Sequence, residues 1–329
     1  MYPTVLLGLH GTGLEESGFP VQKTDYSRAN QNKTQAGQNM RIVYHLGAHF
    51  TDDERLLRCL LKNRDLLAQH DIVVPGPKRY RTLLRETATK LKGQAASIDD
   101  QALILEQIME EDRASRLILS WDSFLSLPNY VLNDRLYPAA GERVRAFCQI
   151  FPEIEAEFHL AIRNPASFLP QLYDRLKPES YAAFLNGVDP FDIYWSEVIE
   201  RILEANPGVP LTIWCDEDTA LIWPEVLRAV AGLPEEAVID GEDDLLTSLM
   251  SGEGMTRLTA YLASHPPHSV MQRRKIVSAF LDKFALPERV DQDIIMPGWT
   301  ADMVAEMTTL YEEDVARIAQ MGEITFLAP

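Results

Sequence analysis

The sequence predicts an α/β fold, a parallel sheet flanked by helices, with a C-terminal third built of helices. Two observations point there. Short apolar runs bounded by Pro, Gly or polar residues alternate with longer stretches whose apolar residues recur at helical spacing. Beyond about Leu245 the helical pattern continues while the apolar runs almost cease.

Residues 1–39 stand apart. From Gly11 to Asn39 the chain is rich in Gly, Ser, Thr, Asn and Gln and poor in large apolar side chains. Such a segment does not offset its ordering entropy, so a disordered extension is expected. Gly8-Leu9-His10-Gly11-Thr12-Gly13 looks like a phosphate loop, but its apolar lead-in, Thr4 to Leu7, is short and no helical pattern follows. The folded unit is expected over 40–329, opening at Met40, as one α/β domain with helical decoration.

Taken in order, Arg41 to Leu46 reads as a buried strand. Thr51 to His70 reads as a helix, with Leu56, Leu57, Leu60, Leu61 and Leu67 on one face. Ile72 to Val74 is a brief extended piece stopped by Pro75. A helix over Gln101 to Glu111 precedes a strand at Leu117 to Leu119. A helix over Ala139 to Phe151 precedes a strand at Glu157 to Ile162. Asn164-Pro165 then breaks the chain into a helix reaching Leu176. Tyr194 to Asn206 and Ile222 to Val230 read as helices around a strand at Leu211 to Trp214. Leu245 to Ala263, Ser269 to Phe284 and Thr300 to Met321 read as helices, the last capped by Thr300, and Ile324 to Leu327 as an edge strand.

Composition narrows the function classes. The chain has 329 residues, is 46% hydrophobic and carries a formal net charge of -18. An acidic surface repels nucleic-acid phosphates and anionic membranes, so neither is an expected partner; a small molecule or a protein is. No apolar run has the length of a membrane span, and His10 and Gly11 interrupt the early apolar stretch, so no signal peptide is expected. Cys59, Cys148 and Cys215 are scattered in apolar contexts and read as reduced core residues, which with the rest gives a cytoplasmic expectation.

The segment His45-Leu46-Gly47-Ala48-His49-Phe50-Thr51-Asp52-Asp53-Glu54-Arg55 lies where the first strand turns into the first helix. In an open α/β sheet that is the usual ligand crevice. His45-Leu46-Gly47-Ala48-His49, the following Asn63-Arg64 and Asp71-Ile72-Val73-Val74-Pro75, then Ser120-Trp121-Asp122, and then Arg163-Asn164-Pro165 with Tyr173 resemble, in order and spacing, the small bacterial members of the sulfotransferase family. The resemblance spans roughly Met40 to Gly232. It implies a P-loop-like parallel sheet and, in active members, sulfuryl transfer from 3′-phosphoadenosine 5′-phosphosulfate (PAPS). It also implies cofactor contacts at Gly47, His49, Thr51, Arg163 and Tyr173.

Departures accompany the likeness. Where the family has Lys-Thr-Gly-Thr-Thr, this chain has Phe50-Thr51-Asp52-Asp53-Glu54. The lysine is implied to bind the phosphosulfate and stabilise the leaving oxygen, which Phe50 does not do. The serine implied to hold the 3′ phosphate falls on Gln171. The residues point the same way without the family. A helix N-terminus attracts anions, but Asp52, Asp53 and Glu54 supply them from within, and Thr51 to Glu54 has capping-box spacing. Two like charges about 4 Å apart repel by ~1 kcal/mol in water and by several times that in a cleft.

Other candidates have ordinary readings beside the functional ones. His45, His49, Asp52 and Asp53 could serve as metal ligands, without a recognisable metal spacing. Asp122 is a general-base candidate or a helix N-cap. His159 reads as a buried, hydrogen-bonded histidine. Arg163 binds a phosphate or pairs with a carboxylate. Asp216-Glu217-Asp218-Thr219 reads as a loop into a capped helix, His265-Pro266-Pro267-His268 as a turn, and Arg273-Arg274-Lys275 as a solvated helix face. Three readings follow: a sulfotransferase-family protein with lost or altered PAPS binding and a ligand- or partner-binding role; an active sulfotransferase with a non-standard loop, using PAPS or adenosine 3′,5′-bisphosphate; and a metal-dependent hydrolase built on the His/Asp turn.

Overall fold

The computed structural model describes residues 40–290 and 294–329. The expected disorder of residues 1–39 and the Gly8 to Gly13 loop lie outside the described residues. In chain order the elements are β1 (Arg41–His45), α1 (Arg55–Lys62), α2 (Arg64–Ala68), β2 (Ile72–Val73), α3 (Arg81–Leu91), α4 (Ile98–Ile108) and β3 (Arg116–Ser120). A short hairpin, β4 (Leu132–Asn133) and β5 (Arg135–Leu136), leads to α5 (Ala140–Cys148), β6 (Glu155–Ile162), α6 (Pro165–Leu176), α7 (Tyr181–Leu185), α8 (Trp195–Ala205) and β7 (Leu211–Cys215). Then come α9 (Thr219–Ala231), α10 (Asp244–Leu249), α11 (Gly252–Ser264), α12 (Val270–Phe284), α13 (Pro287–Val290), α14 (Ala301–Ile318) and β8 (Thr325–Leu327).

The expected parallel sheet forms. Its strand order is β2-β3-β1-β6-β7-β8, with every neighbouring pair parallel. Strand β1 sits between β3 and β6, so His45 lies level with Ser120 on one side and His159 on the other. The chain leaves β1 toward β3 in one direction and later returns to place β6 on the opposite side. That reversal puts a topological switch point at the carboxyl end of β1. The pleat separates two apolar cores. Ile42, Tyr44, Leu117, Leu119, Phe158 and Leu160 face one way, with α5 and α8 over them. Val43, Ile118, Ala161 and Trp214 face the other, under α1 and α9.

That second face also carries polar groups. Glu157 accepts from Arg116 Nη1 (3.1 Å) and lies 2.6 Å from His159 Nε2. His159 is thus buried and hydrogen-bonded, as its place in a strand implies. Burial pushes Glu157 up, but the hydrogen bonds from His159 and Arg116 and their charges outweigh it and pull the group down to about 2.

Several element boundaries differ from the sequence pattern. The helix expected from Thr51 to His70 starts at Arg55 and breaks at Asn63. There the Asn63 amide clamps a distant loop: Nδ2 donates to Asp240 O (2.7 Å) and Oδ1 accepts from Asp240 N (2.8 Å). The expected helix from Leu245 to Ala263 is two, because Ser251 turns to cap Gly254 N. Helix α3, unread in the sequence, buries Leu84 and Ala88 on an otherwise charged, Pro-preceded segment. Thr300 caps α14 by accepting from Met303 N, and β8 pairs with β7 at the sheet edge, both as expected. No helix among the described residues is long and apolar enough to cross a membrane. Cys59, Cys148 and Cys215 are free thiols, and burial pushes the pKa of each up.

Candidate functional site

The segment from Gly47 to Glu54 forms a turn at the carboxyl end of β1. Its backbone is left-handed at Gly47 (φ 54°), Phe50 (φ 67°), Asp53 (φ 48°) and Glu54 (φ 62°). Only the first is a glycine, so the other three carry strain, at roughly 1 kcal/mol or more each, that surrounding contacts must offset. Those contacts come from several elements. His49 N donates to Tyr137 Oη (3.3 Å), and His49 Nδ1 lies 2.6 Å from the same oxygen. Phe50 O accepts from Arg163 Nη1. Thr51 Oγ1 donates back to Ala48 O at 2.8 Å. The Phe50 ring packs on His49 and on Phe168, with centroids 6.0 and 5.9 Å away.

The capping box expected between Thr51 and Glu54 does not form, because the helix begins only at Arg55, which puts Glu54 and not Thr51 at its N-cap. Asp52 takes the capping role. Its Oδ1 accepts from Glu54 N and its Oδ2 from Leu56 N, both at 3.0 Å. The Glu54 carboxylate instead reaches Arg81 Nη1. The expectation that the chain's own acids occupy amides of this helix start therefore holds, with a different acid.

The pair His49 and Tyr137 is fully buried. Tyr137 Oη already accepts the His49 amide. If it also accepted from Nδ1–H, its own proton would lack an acceptor among the described residues. With Tyr137 donating to Nδ1 instead, the imidazole proton sits on Nε2, a buried nitrogen that itself has no partner among the described residues, so either arrangement leaves one buried proton unmet. Burial pushes the His49 pKa below its ordinary value, against the pull of Asp122, so the ring is neutral. Burial acts likewise on His45, whose Nδ1 lies 2.9 Å from Ser120 Oγ.

Arg163, at the end of β6, is engaged on several sides. Besides Phe50 O, it donates from Nε to Ser167 Oγ (3.0 Å) and from Nη1 to Gln171 Oε1 (3.5 Å), and Nη1 lies 3.6 Å from Asp216 Oδ2. Arg163 thus acts as a loop tether, with the Asp216 carboxyl group at the edge of its guanidinium. Burial, reinforced by Glu217 and Asp52 and opposed by Arg163, pushes Asp216 up to about 8.

The remaining candidates separate. Gly47 and Thr51 share the turn, and Asp122 adjoins it: a Cβ on Gly47 would come 3.5 Å from Asp122 Cα and 3.6 Å from Thr51 Oγ1. Asp122 is exposed and caps no helix, since the chain after it continues in turns; its Oδ1 accepts from Ser123 Oγ. Tyr173 packs edge-on against Phe184, with centroids 5.2 Å apart, and makes no described bond to the turn. Among the described residues no group of three or more His, Cys, Asp or Glu side chains is placed to hold a metal ion. Asp216 to Asp218 form a short turn into α9, but the expected cap does not form: among the described residues no side chain accepts from an amide of the helix start. Arg273 and Arg274 are not a solvated face: they pair with Asp243 (2.6 Å) and Glu225 (3.2 Å), at 20% and 15% exposure.

Tyr137, Tyr80 and Arg81 are parts of the site that the sequence did not disclose. Tyr80, Leu84, Ala88 and Leu91 lie at helical spacing and could have revealed α3, but no local signal announces their partners at β1 and β3. A separate cleft of about 450 Å3, lined by Arg41, Ser115, Arg116 and Glu155, lies at the opposite, amino end of the strands. No protein-family model matches the chain, and no curated protein is similar to it in sequence.

Proposed function

We propose that this is a sulfotransferase-like protein of the P-loop type whose phosphate-binding turn has become a closed, self-bonded loop. It lacks ordinary sulfuryl transfer from PAPS and serves as a binder of a small molecule or a protein. The observation that carries this reading is the Asp52 carboxylate on the Glu54 and Leu56 amides. Those amides belong to the helix start that an anionic ligand would use. Further support comes from Phe50, packed among aromatic rings where a lysine would be needed, and from Arg163, committed to the loop and to Asp216.

The residues therefore do not fit PAPS. Its phosphates would have to displace Asp52 and meet Asp53 and Glu54 at close range, and the repulsion is several times larger in a cleft than in water. Calorimetric titration with adenosine 3′,5′-bisphosphate tests the reading. No heat of binding is expected in the micromolar range; clear micromolar binding overturns it. The double change Phe50→Lys with Asp52→Gly should raise nucleotide affinity, as measured in the same titration, because it restores a cation and frees two amides.

A further inference from the structure

Arg81 is the second guanidinium at the carboxyl edge of the sheet, and it is held unlike a surface arginine. Its Nε and Nη2 donate to the Ser120 carbonyl at 3.3 and 3.0 Å. That carbonyl, at the end of β3, also accepts from Tyr80 Oη (2.7 Å), and Tyr80 Oη accepts from Ser120 N (3.0 Å). Tyr80 is fully buried. One edge of the Arg81 fork is thus locked to the sheet, and Nη1 is directed at the turn after β1. Only 22% of the Arg81 side chain is exposed.

Its partner is held far more loosely. The Glu54 side chain is 51% exposed, and among the described residues its carboxylate has no donor besides Arg81. Its backbone is in the left-handed region, at φ 62° and ψ 16°. A fixed, mostly desolvated cation beside a solvated, exchangeable carboxylate has the asymmetry of a binding residue covered by an internal substitute. An ordinary surface ion pair has two mobile partners and contributes little. A desolvated guanidinium stripped of its anion takes another one, and forked charge-assisted bonds to oxyanions are the strong ones.

We propose that Arg81 is an oxyanion-binding residue and that Glu54 masks it, the ligand being a small molecule bearing a carboxylate or a phosphate that displaces Glu54. The inference rests on the self-closed loop proposed above, but it concerns the side chains of Glu54 and Arg81 rather than the Asp52 carboxylate or Arg163. Nearby Asp52 and Asp53 oppose highly charged ligands, which favours a small oxyanion over a nucleotide.

The test uses the full chain in calorimetric titrations at low ionic strength, with sodium phosphate and sodium acetate as separate probes. Glu54→Gln keeps the size of an exposed side chain and removes its charge. It should bind phosphate or acetate about tenfold more tightly than the wild type, and the gain should vanish in Glu54→Gln with Arg81→Lys. Lysine keeps the charge but loses the fork, and circular dichroism confirms that each variant is folded. A gain for phosphate assigns a phosphate-bearing ligand, and one for acetate a carboxylate. No gain for either anion in folded Glu54→Gln, or a gain that survives Arg81→Lys, overturns the proposal. Nucleotide binding by the wild type would overturn the closed-loop reading instead, so the two failures are told apart.

Discussion

Two buried tyrosines use their hydroxyls in opposite ways. Tyr44, on β1, stacks on Phe158 at 5.1 Å and meets Phe124 edge-on at 5.4 Å, and its oxygen is buried with no hydrogen-bond partner. An unmet buried hydroxyl costs about 1–3 kcal/mol, so Tyr44→Phe should leave stability unchanged or raise it. Tyr137 serves both the His49 amide and Nδ1, and Tyr137→Phe strands both. It should lower stability by roughly 1–3 kcal/mol. Urea unfolding midpoints of the two variants, compared side by side, check the contrast. At this scale the sequence was partly legible. The turn, its acids and Arg163 could all be picked out, since ligand crevices lie where β1 ends. Which residue caps could not, because Thr51 and Asp52 both have capping chemistry, and the left-handed backbone at Phe50, Asp53 and Glu54 that accompanies the Asp52 cap has no local signature. Aspartate tolerates that region; phenylalanine and glutamate are held there by tertiary bonds that no local pattern shows.

Elements meet at points where one atom decides the fit. On α5, Gly141 lies against α8 so closely that a Cβ would come 2.3 Å from Arg201 O and 2.7 Å from the Ala205 Cβ. Gly141→Ala must push two helices apart, and a loss of about 3 kcal/mol or more is expected in urea unfolding. Helix α1 depends on Asp52 in a different way. Asp52→Ala removes the acceptor for two amides and should cost about 1 kcal/mol, the usual value of an N-cap, read as a lower thermal midpoint. The sheet strands were legible because parallel strands buried on both faces are short, continuous apolar runs, as at Val43, Ile118 and Ile213. Helix α3 was not, since Pro75 and Pro77 precede it and its apolar stripe is thin. The break at Asn63 was hidden too, because its cause is Asp240, far along the chain.

The whole molecule responds to acid and base through buried groups of opposite sign. Burial holds His45, His49 and His159 below their ordinary pKa. Each binds its proton more readily when unfolded, so its contribution is complete above about pH 6.5 and is lost as pH falls beneath that value. Glu157, drawn from 4.5 to about 2, extends the loss as pH drops through that window. Asp216, raised from 3.8 to about 8, acts the other way: the folded state keeps its proton longer, so stability declines as pH rises between those values. Urea midpoints across pH should therefore fall below about 6.5, and Asp216→Asn should remove the decline toward about 8.

The final strand carries one more consequence. Strand β8 pairs with β7, although the two are separated by the entire helical third, and α14 just before it ties back to the crevice through Asn164 with Thr308 and Tyr311 with Glu217. During synthesis β7 waits with a bare flank until almost every helix beyond it has left the ribosome. The nascent protein thus carries that edge unpaired while the whole helical third is made, and only the arrival of β8 seals it.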